Sequence, residues 1–187
     1  MENIVIRDAA PGDVPAILDI YRWYVEHTAI TFETHVPSTA EFEGRMRSVM
    51  ARYPYLVLER DGVIEGYAYA GPLNPREAYN WTCELTIYLR HDARKCGFGR
   101  KLYTALEQAL IRMGILTTYA CIGSPIAEDE YLTHNSEQFH AHLGFRRCGT
   151  FSRSGYKFGR WYNMIWMEKN VGEHLENQPP VVWYPDL

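Results

Sequence analysis

Apolar residues recur along this chain with two different periods, and the switches between them mark out the elements. Residues 3–7, "NIVIR", alternate as a short strand does. After "PGD", the positions Val14, Ile17, Leu18, Tyr21 and Val25 follow helical spacing, and Asp13 stands where a helix N-cap belongs. A second helix is predicted from Ser38, because Ser38-Thr39-Ala40-Glu41 has the order of a capping box, with Phe42, Met46, Val49 and Met50 along one side. The period then shortens. "YLVLER" and "VIEGYAYA" flank Asp61-Gly62 and read as a hairpin. "PLNPREAYN" is rich in turn formers, and "WTCELTIYL" is the next strand. A segment with two glycines then leads a helix carrying Leu102, Ala105, Leu106, Ala109 and Leu110 on one face. "TTYACIG" is a strand, "SPIAEDEYLTH" a loop, and "NSEQFHAHL" a short helix that Gly144 stops. "FRRCGTFSRSGYKFGRWYNMIWMEK" reads as two antiparallel strands about a glycine-centred break. The order is βαα, ββ, βαβα, ββ, which predicts an α+β fold with a mixed central sheet.

No repeat or second domain interrupts this order. Residues 1–170 are expected to form one domain, and residues 171–187, with three prolines in "ENQPPVVWYPDL", a tail over its surface. At 187 residues and 47% hydrophobic the chain can bury a substantial core. Its formal net charge of −4 argues against nucleic acid as the main partner. The amino terminus has no basic start followed by a long apolar run, and no stretch reaches the length of a membrane span. Cys83, Cys96, Cys121 and Cys148 are scattered without a CxxC pair, so reduced thiols and a cytoplasmic location are expected, with no disulfide framework. His134, His140 and His142 do not form HExxH, and no metal site is expected.

Two features carry candidate chemistry. The first is "RKCGFGRKL", where basic residues surround Gly97 and Gly99 between a strand and a helix. The first-turn amides of a helix lack internal acceptors and its macrodipole adds positive charge, so such a junction can hold an anion. A plain strand-to-helix turn is the alternative reading. It is neither GxxxxGK[ST] nor GxGxxG, since position 102 is Leu. The second is Glu84, a carboxylate within an apolar strand. It either faces water at a strand edge or, covered by Trp81 and Tyr79, has a raised pKa and serves as a base. Cys83 and Cys96 lack the neighbouring histidine of an activated nucleophile, the nearest in sequence being His91 in the loop.

Arg94-Lys95-Cys96-Gly97-Phe98-Gly99 resembles the R/Q-x-x-G-x-G/A motif of the GNAT superfamily of N-acetyltransferases. "TAITFET", "REAYNWTCELTIYL" and "SEQFHAHLGF" are similar, in order and spacing, to segments of its phosphinothricin/methionine sulfoximine acetyltransferase-like subgroup, and the likeness spans about residues 3–168. The resemblance implies a GNAT-like mixed sheet with flanking helices and acetyl-CoA as cosubstrate. It also implies transfer of the acetyl group to the primary amine of an amino acid or glutamate-like analogue. Glu84 would be the general base. His140 would occupy the place of the tyrosine that elsewhere in the superfamily protonates the departing thiolate, with its role here open. The main chain of Ile87, Tyr88 and Leu89 would pair with the pantetheine arm, and the amides from Lys95 to Arg100 would hold the diphosphate. Asn135 is a further contact or a helix cap. Phe32, Arg76, Tyr79 and Tyr156 would line the acceptor site, with Arg76 on the acceptor's carboxylate. A homodimer is also implied. Acetylation of a protein, peptide or polyamine amine, or a non-catalytic acyl-CoA sensor, are the rival readings.

Overall fold

The computed structural model describes residues 2–93 and 96–187. Its elements follow the expected order: β1 (Ile4–Asp8), α1 (Val14–His27), α2 (Thr39–Met50), β2 (Tyr55–Arg60), β3 (Val63–Pro72), β4 (Thr82–Leu89), α3 (Phe98–Met113), β5 (Thr117–Ser124), α4 (Asn135–His142), β6 (Arg146–Lys157) and β7 (Arg160–Asn170). The strands form one mixed sheet in the order β1-β2-β3-β4-β5-β7-β6, in which only β4 and β5 run parallel. Asp61 and Gly62 both take positive φ, +53° and +82°, the pairing that matches strand twist in a two-residue hairpin.

Local signals were met with some changes of partner. Ser38 accepts the Glu41 N–H at 3.2 Å, but the Glu41 carboxylate binds Arg45 at 2.6 Å rather than turning back, so only half the capping box forms. Asp13 holds the N-cap position of α1 without capping it. Its carboxylate instead accepts the Ala10 N–H and pairs with Arg7, both at 2.7 Å, because a short 3-10 turn precedes the helix.

The sheet is covered on both faces. Leu102, Leu106 and Leu110 of α3 pack with Leu85, Ile165 and Met167. On the other face, Ile17 and Tyr21 of α1 and Phe42 and Met46 of α2 pack on Tyr55, Val57 and Tyr67. Alternation along β4 therefore sends Cys83, Leu85, Ile87 and Leu89 toward α3, and Glu84, Thr86 and Tyr88 toward α1 and α2.

The tail is more than a surface segment. Val181, Trp183 and Tyr184 pack against the main core. Trp183 meets Tyr53 edge-on at 5.5 Å, and Arg52 lies 5.1 Å from the Trp183 ring. The Val182 N–H donates to the Met113 carbonyl at 2.9 Å, and the Tyr184 hydroxyl to Asp8 at 2.7 Å. The strap ties the end of α3 to β1. Trp183→Ala is expected to lower unfolding free energy by ~2 kcal/mol, below a fully buried aromatic truncation because the ring is half-buried. Urea denaturation checks this, and an unchanged midpoint and slope would show that the strap adds nothing.

Candidate active site where two strands part

Pairing between β4 and β5 covers only Thr82–Glu84 against Thr117–Tyr119. Past that point β4 stays in register with β3 as far as Leu89, and β5 with β7 as far as Ser124. Each strand keeps its other neighbour, so the two halves of the sheet separate just beyond Glu84. The space between them is a cleft of about 290 Å³, walled by β4 from Glu84 to Tyr88 and β5 from Ala120 to Gly123, with Phe32, Tyr103 and His140 around it. A backbone edge left without a strand neighbour invites an extended ligand. At its far end the Leu89 carbonyl already accepts the Tyr24 hydroxyl at 2.7 Å.

Ile30 and Ser136 line both this cleft and a groove of about 830 Å³. Gly97 to Arg100, Leu89, Asn135 and Phe139 line the groove. Gly97, the N-cap of α3, has φ +74°, a conformation that favours glycine. A Cβ on Gly99 would come within 3.0 Å of the Phe139 ring, so this glycine lets α4 close against the start of α3. The Lys101 N–H reaches back to the Gly97 carbonyl at 3.2 Å, which leaves the amides of Phe98, Gly99 and Arg100 without an acceptor within the helix. These amides suit a diphosphate, and the free β4 edge suits an extended arm. Arg94 and Lys95, expected to contribute here, lie outside the described residues. Cys96 and Arg100 line the groove. Asn135 also does so, as the first residue of α4, whose cap position belongs to His134. Arg90 is engaged by Asp92 at 3.2 Å and stands 3.8 Å from Glu65.

Glu84 sits at the fork, half-buried, and burial pushes its carboxyl above the ordinary carboxylate range. Trp81 and Tyr79 do not line its cleft. The Trp81 indole N–H donates to the Pro179 carbonyl, and Tyr79 is exposed.

His140 is 3% exposed. Its Nδ1 lies 2.7 Å from the Ser136 carbonyl, which can only accept, so Nδ1 carries the proton. Nε2 of the neutral ring then accepts the Tyr103 O–H at 3.0 Å. Burial lowers the His140 pKa and raises that of Tyr103, so the pair stands uncharged in the wall. His142, two residues on, is exposed. Tyr103 escaped the sequence reading. Its only signal was a tyrosine one position from Leu102 on the buried side of α3.

Phe32 is held over the cleft by an absence of side chains. A Cβ on Gly155 would lie 2.3 Å from its ring, and one on Gly123 would lie 2.9 Å from the Ala29 carbonyl. These two glycines let the segment after α1 close onto β5 and β6. The buried Lys157 donates to the Thr31 carbonyl at 2.9 Å, and burial lowers its pKa to about 8. Arg76, Tyr79 and Tyr156 are exposed and are not among the cleft's lining residues, and Tyr156 lies against Trp161 at 5.0 Å between ring centroids.

Thiol catalysis finds little support. Cys83 is fully buried, with its thiol pushed up, and Cys121, in the cleft wall, is pushed up to about 12 by burial and then by Glu84. Both are poor thiolates at neutral pH. Among the described residues no cluster of His, Cys, Asp or Glu could hold a metal ion, and no helix is long and apolar enough to cross a membrane.

Residues 6–166 match the acetyltransferase (GNAT) domain family. The chain is 34% identical to a phosphinothricin N-acetyltransferase of Streptomyces viridochromogenes, over 89% of this chain and 87% of that one. It is 36% identical to an L-methionine sulfoximine/L-methionine sulfone acetyltransferase of Pseudomonas aeruginosa, over 89% and 94%. Its structure superimposes on that of a GNAT superfamily phosphinothricin acetyltransferase from Sinorhizobium meliloti in complex with acetyl-CoA, with a TM-score of 0.87, 33% identity and coverage of 98% and 96%. With the parted strands and the amide-lined groove, these matches place the chain in the GNAT superfamily, close to the phosphinothricin and methionine sulfoximine acetyltransferases, as an acetyl-CoA-dependent N-acetyltransferase.

Proposed function

We propose that the chain acetylates the α-amine of an amino acid or a glutamate-like analogue such as phosphinothricin or methionine sulfoximine, with Glu84 as the base. The observation that carries this reading is the position of Glu84. It stands at the fork of β4 and β5, with a raised pKa, beside a cleft that adjoins the amide-lined groove. The names of the similar enzymes support the acceptor class.

The acceptor amine arrives protonated, since a free amine has a pKa far above neutrality. Glu84 takes that proton, directly or through a water, and its raised pKa narrows the gap the proton must cross. The neutral amine then attacks the thioester carbonyl without an acyl-enzyme, and backbone N–H groups of the free β4 edge offer donors to the developing oxyanion. His140 and Tyr103 act as a positioning pair. The buried imidazole fixes the phenol in the cleft wall at no cost in charge. The lining of the cleft contains no Lys or Arg among the described residues. Arg76, on the exposed loop before Glu84, is proposed as the carboxylate's cation. A homodimer and a cytoplasmic location complete the proposal.

The test is free-CoA release with phosphinothricin, methionine sulfoximine, the common amino acids, spermidine and a lysine peptide. Turnover of the amino acid class alone is the expected result, whereas turnover confined to spermidine or the peptide contradicts it. Glu84→Gln should lower kcat by at least ~100-fold and leave the acetyl-CoA Kd unchanged. The pH dependence has a definite sign. A base must be ionised, so kcat should fall as pH drops through the Glu84 pKa, on a limb above the ordinary 4.5. An acid limb at or below 4.5 in a kcat–pH profile would show that another group is titrating.

A further inference from the structure

The segment that leaves β7 runs across the closed end of the fork and meets both of the strands that part there. The Val171 and Gly172 N–H groups donate to the Leu116 carbonyl, at 2.8 and 3.2 Å, just before β5 begins. A Cβ on Gly172 would lie 2.8 Å from the Leu116 side chain, so glycine is what lets the segment close there. His174 Nε2 lies 3.4 Å from the Thr117 hydroxyl, and Thr117 is the first β5 residue paired with β4. The segment then reaches Trp81, whose indole N–H donates to the Pro179 carbonyl at 2.8 Å. Trp81 is itself the rung before the paired residues, because its carbonyl accepts the Leu116 and Thr117 N–H groups at 2.8 and 3.3 Å. Its ring belongs to none of the apolar clusters among the described residues, so packing in a core does not account for a tryptophan here.

We infer that residues 171–182 clamp the closed end of the fork, and that Trp81 is a positioning residue whose bond to Pro179 fixes where β4 carries Glu84 relative to β5. The inference rests on the proposed role of Glu84 as base and adds to it what holds that carboxylate in place. Leverage is the first argument. Glu84 stands beyond Trp81 by about 10 Å of extended strand, and the pairing of β4 with β5 stops there. A small rotation at Trp81 is therefore a displacement at the carboxylate, and misplacing a catalytic group by about 1 Å can cost ~100-fold in rate. Direction is the second. One indole N–H on one carbonyl sets an angle as well as a distance, which apolar contact does not. Anchorage is the third. The Val182 N–H donates to the Met113 carbonyl at 2.9 Å, so the clamp is tied to backbone at both ends. The amide-lined groove lies at the other end of β4, at Leu89 and Gly97 to Arg100, and none of residues 171–182 lines it.

The experiment compares Trp81→Phe, Gly172→Ala and Trp183→Ala with the wild type. It reads kcat with the best amine of the panel above, the acetyl-CoA Kd by calorimetry, and amide exchange at Leu116 and Thr117. Trp81→Phe keeps an aromatic ring and loses the N–H, and Gly172→Ala pushes the segment off Leu116. Both should lower kcat about tenfold, leave the acetyl-CoA Kd within about twofold, and speed exchange at Leu116 and Thr117 at least ~5-fold. Trp183 lies beyond the clamp, and Trp183→Ala is the stability control, expected to lower the unfolding midpoint and leave kcat within about twofold. Wild-type kcat in a folded Trp81→Phe protein overturns the inference. So does a fall in kcat that Trp183→Ala matches or that acetyl-CoA affinity follows, since either reports general damage. If Trp81→Phe does not fold, Gly172→Ala decides by the same criteria. If the wild type turns over no amine, the Glu84 reading fails separately and exchange decides the clamp. Faster exchange at Leu116 and Thr117 in Trp81→Phe upholds it, and unaltered exchange overturns it.

Discussion

The short parallel contact between β4 and β5 is the constraint on which the rest depends. Three residue pairs join the two halves of the sheet, and then each strand follows its other partner. In a continuous sheet the backbone groups beyond Glu84 would be satisfied by a neighbour and the face would be closed. Here one edge of β4 is left open at the centre of the molecule, next to a helix whose first-turn amides also lack partners. An elongated ligand with an anionic end and an amide-bearing arm answers both deficits. We propose that the enzyme recognises acetyl-CoA through these two incomplete hydrogen-bond ladders.

The same fork explains the chemistry of Glu84. It belongs to the last paired step, so the backbone under it is held on both sides while its side chain looks into the cleft. Burial penalises the ionised form, which makes the carboxylate a better base and a poorer contributor to the fold. Its folded pKa lies above the unfolded one, so its favourable contribution is complete at low pH and is lost as pH rises through the folded value. With Glu84 as the proposed base, activity and stability would be drawn from opposite protonation states of one residue. The neighbouring groups avoid adding to that cost. His140 and Tyr103 satisfy each other without charge.

Much of the fold was legible because its elements differ in period and are punctuated locally. The Asp61-Gly62 hairpin, the helix after Gly97 and the stop at Gly144 each rest on residues within one turn of the event. The glycine loop and Glu84 were legible as candidates for the same reason, although Arg94 and Lys95 fall outside the described residues. What escaped depends on contacts between distant parts of the chain. Tyr103 and His140 are 37 residues apart and meet only when α4 docks on α3. Gly123 and Gly155 look like strand punctuation, and their use in seating Ala29 and Phe32 appears only in three dimensions. The tail was read as a surface segment because its prolines hide the anchoring of Trp183 on Tyr53. Arg76 was chosen as a cation in the loop before Glu84, Tyr79 by resemblance and Tyr156 as a further aromatic, and no local signal could say which way exposed loop residues turn. Trp81 was expected to cover Glu84 and turned instead to Pro179, a partner 98 residues away.

Amide hydrogen exchange with and without acetyl-CoA tests the fork most directly. Protection gained at Ile87, whose amide points away from β3 past the last pair with β5, and at residues 98–100, with β1 and β2 unchanged, is the result the open-edge account requires, because the neighbouring amides of Thr86 and Tyr88 are already paired with β3. Unaltered exchange along β4 in a saturated complex would contradict it, since the cosubstrate would then be held elsewhere and Glu84 would have nothing beside it to act on.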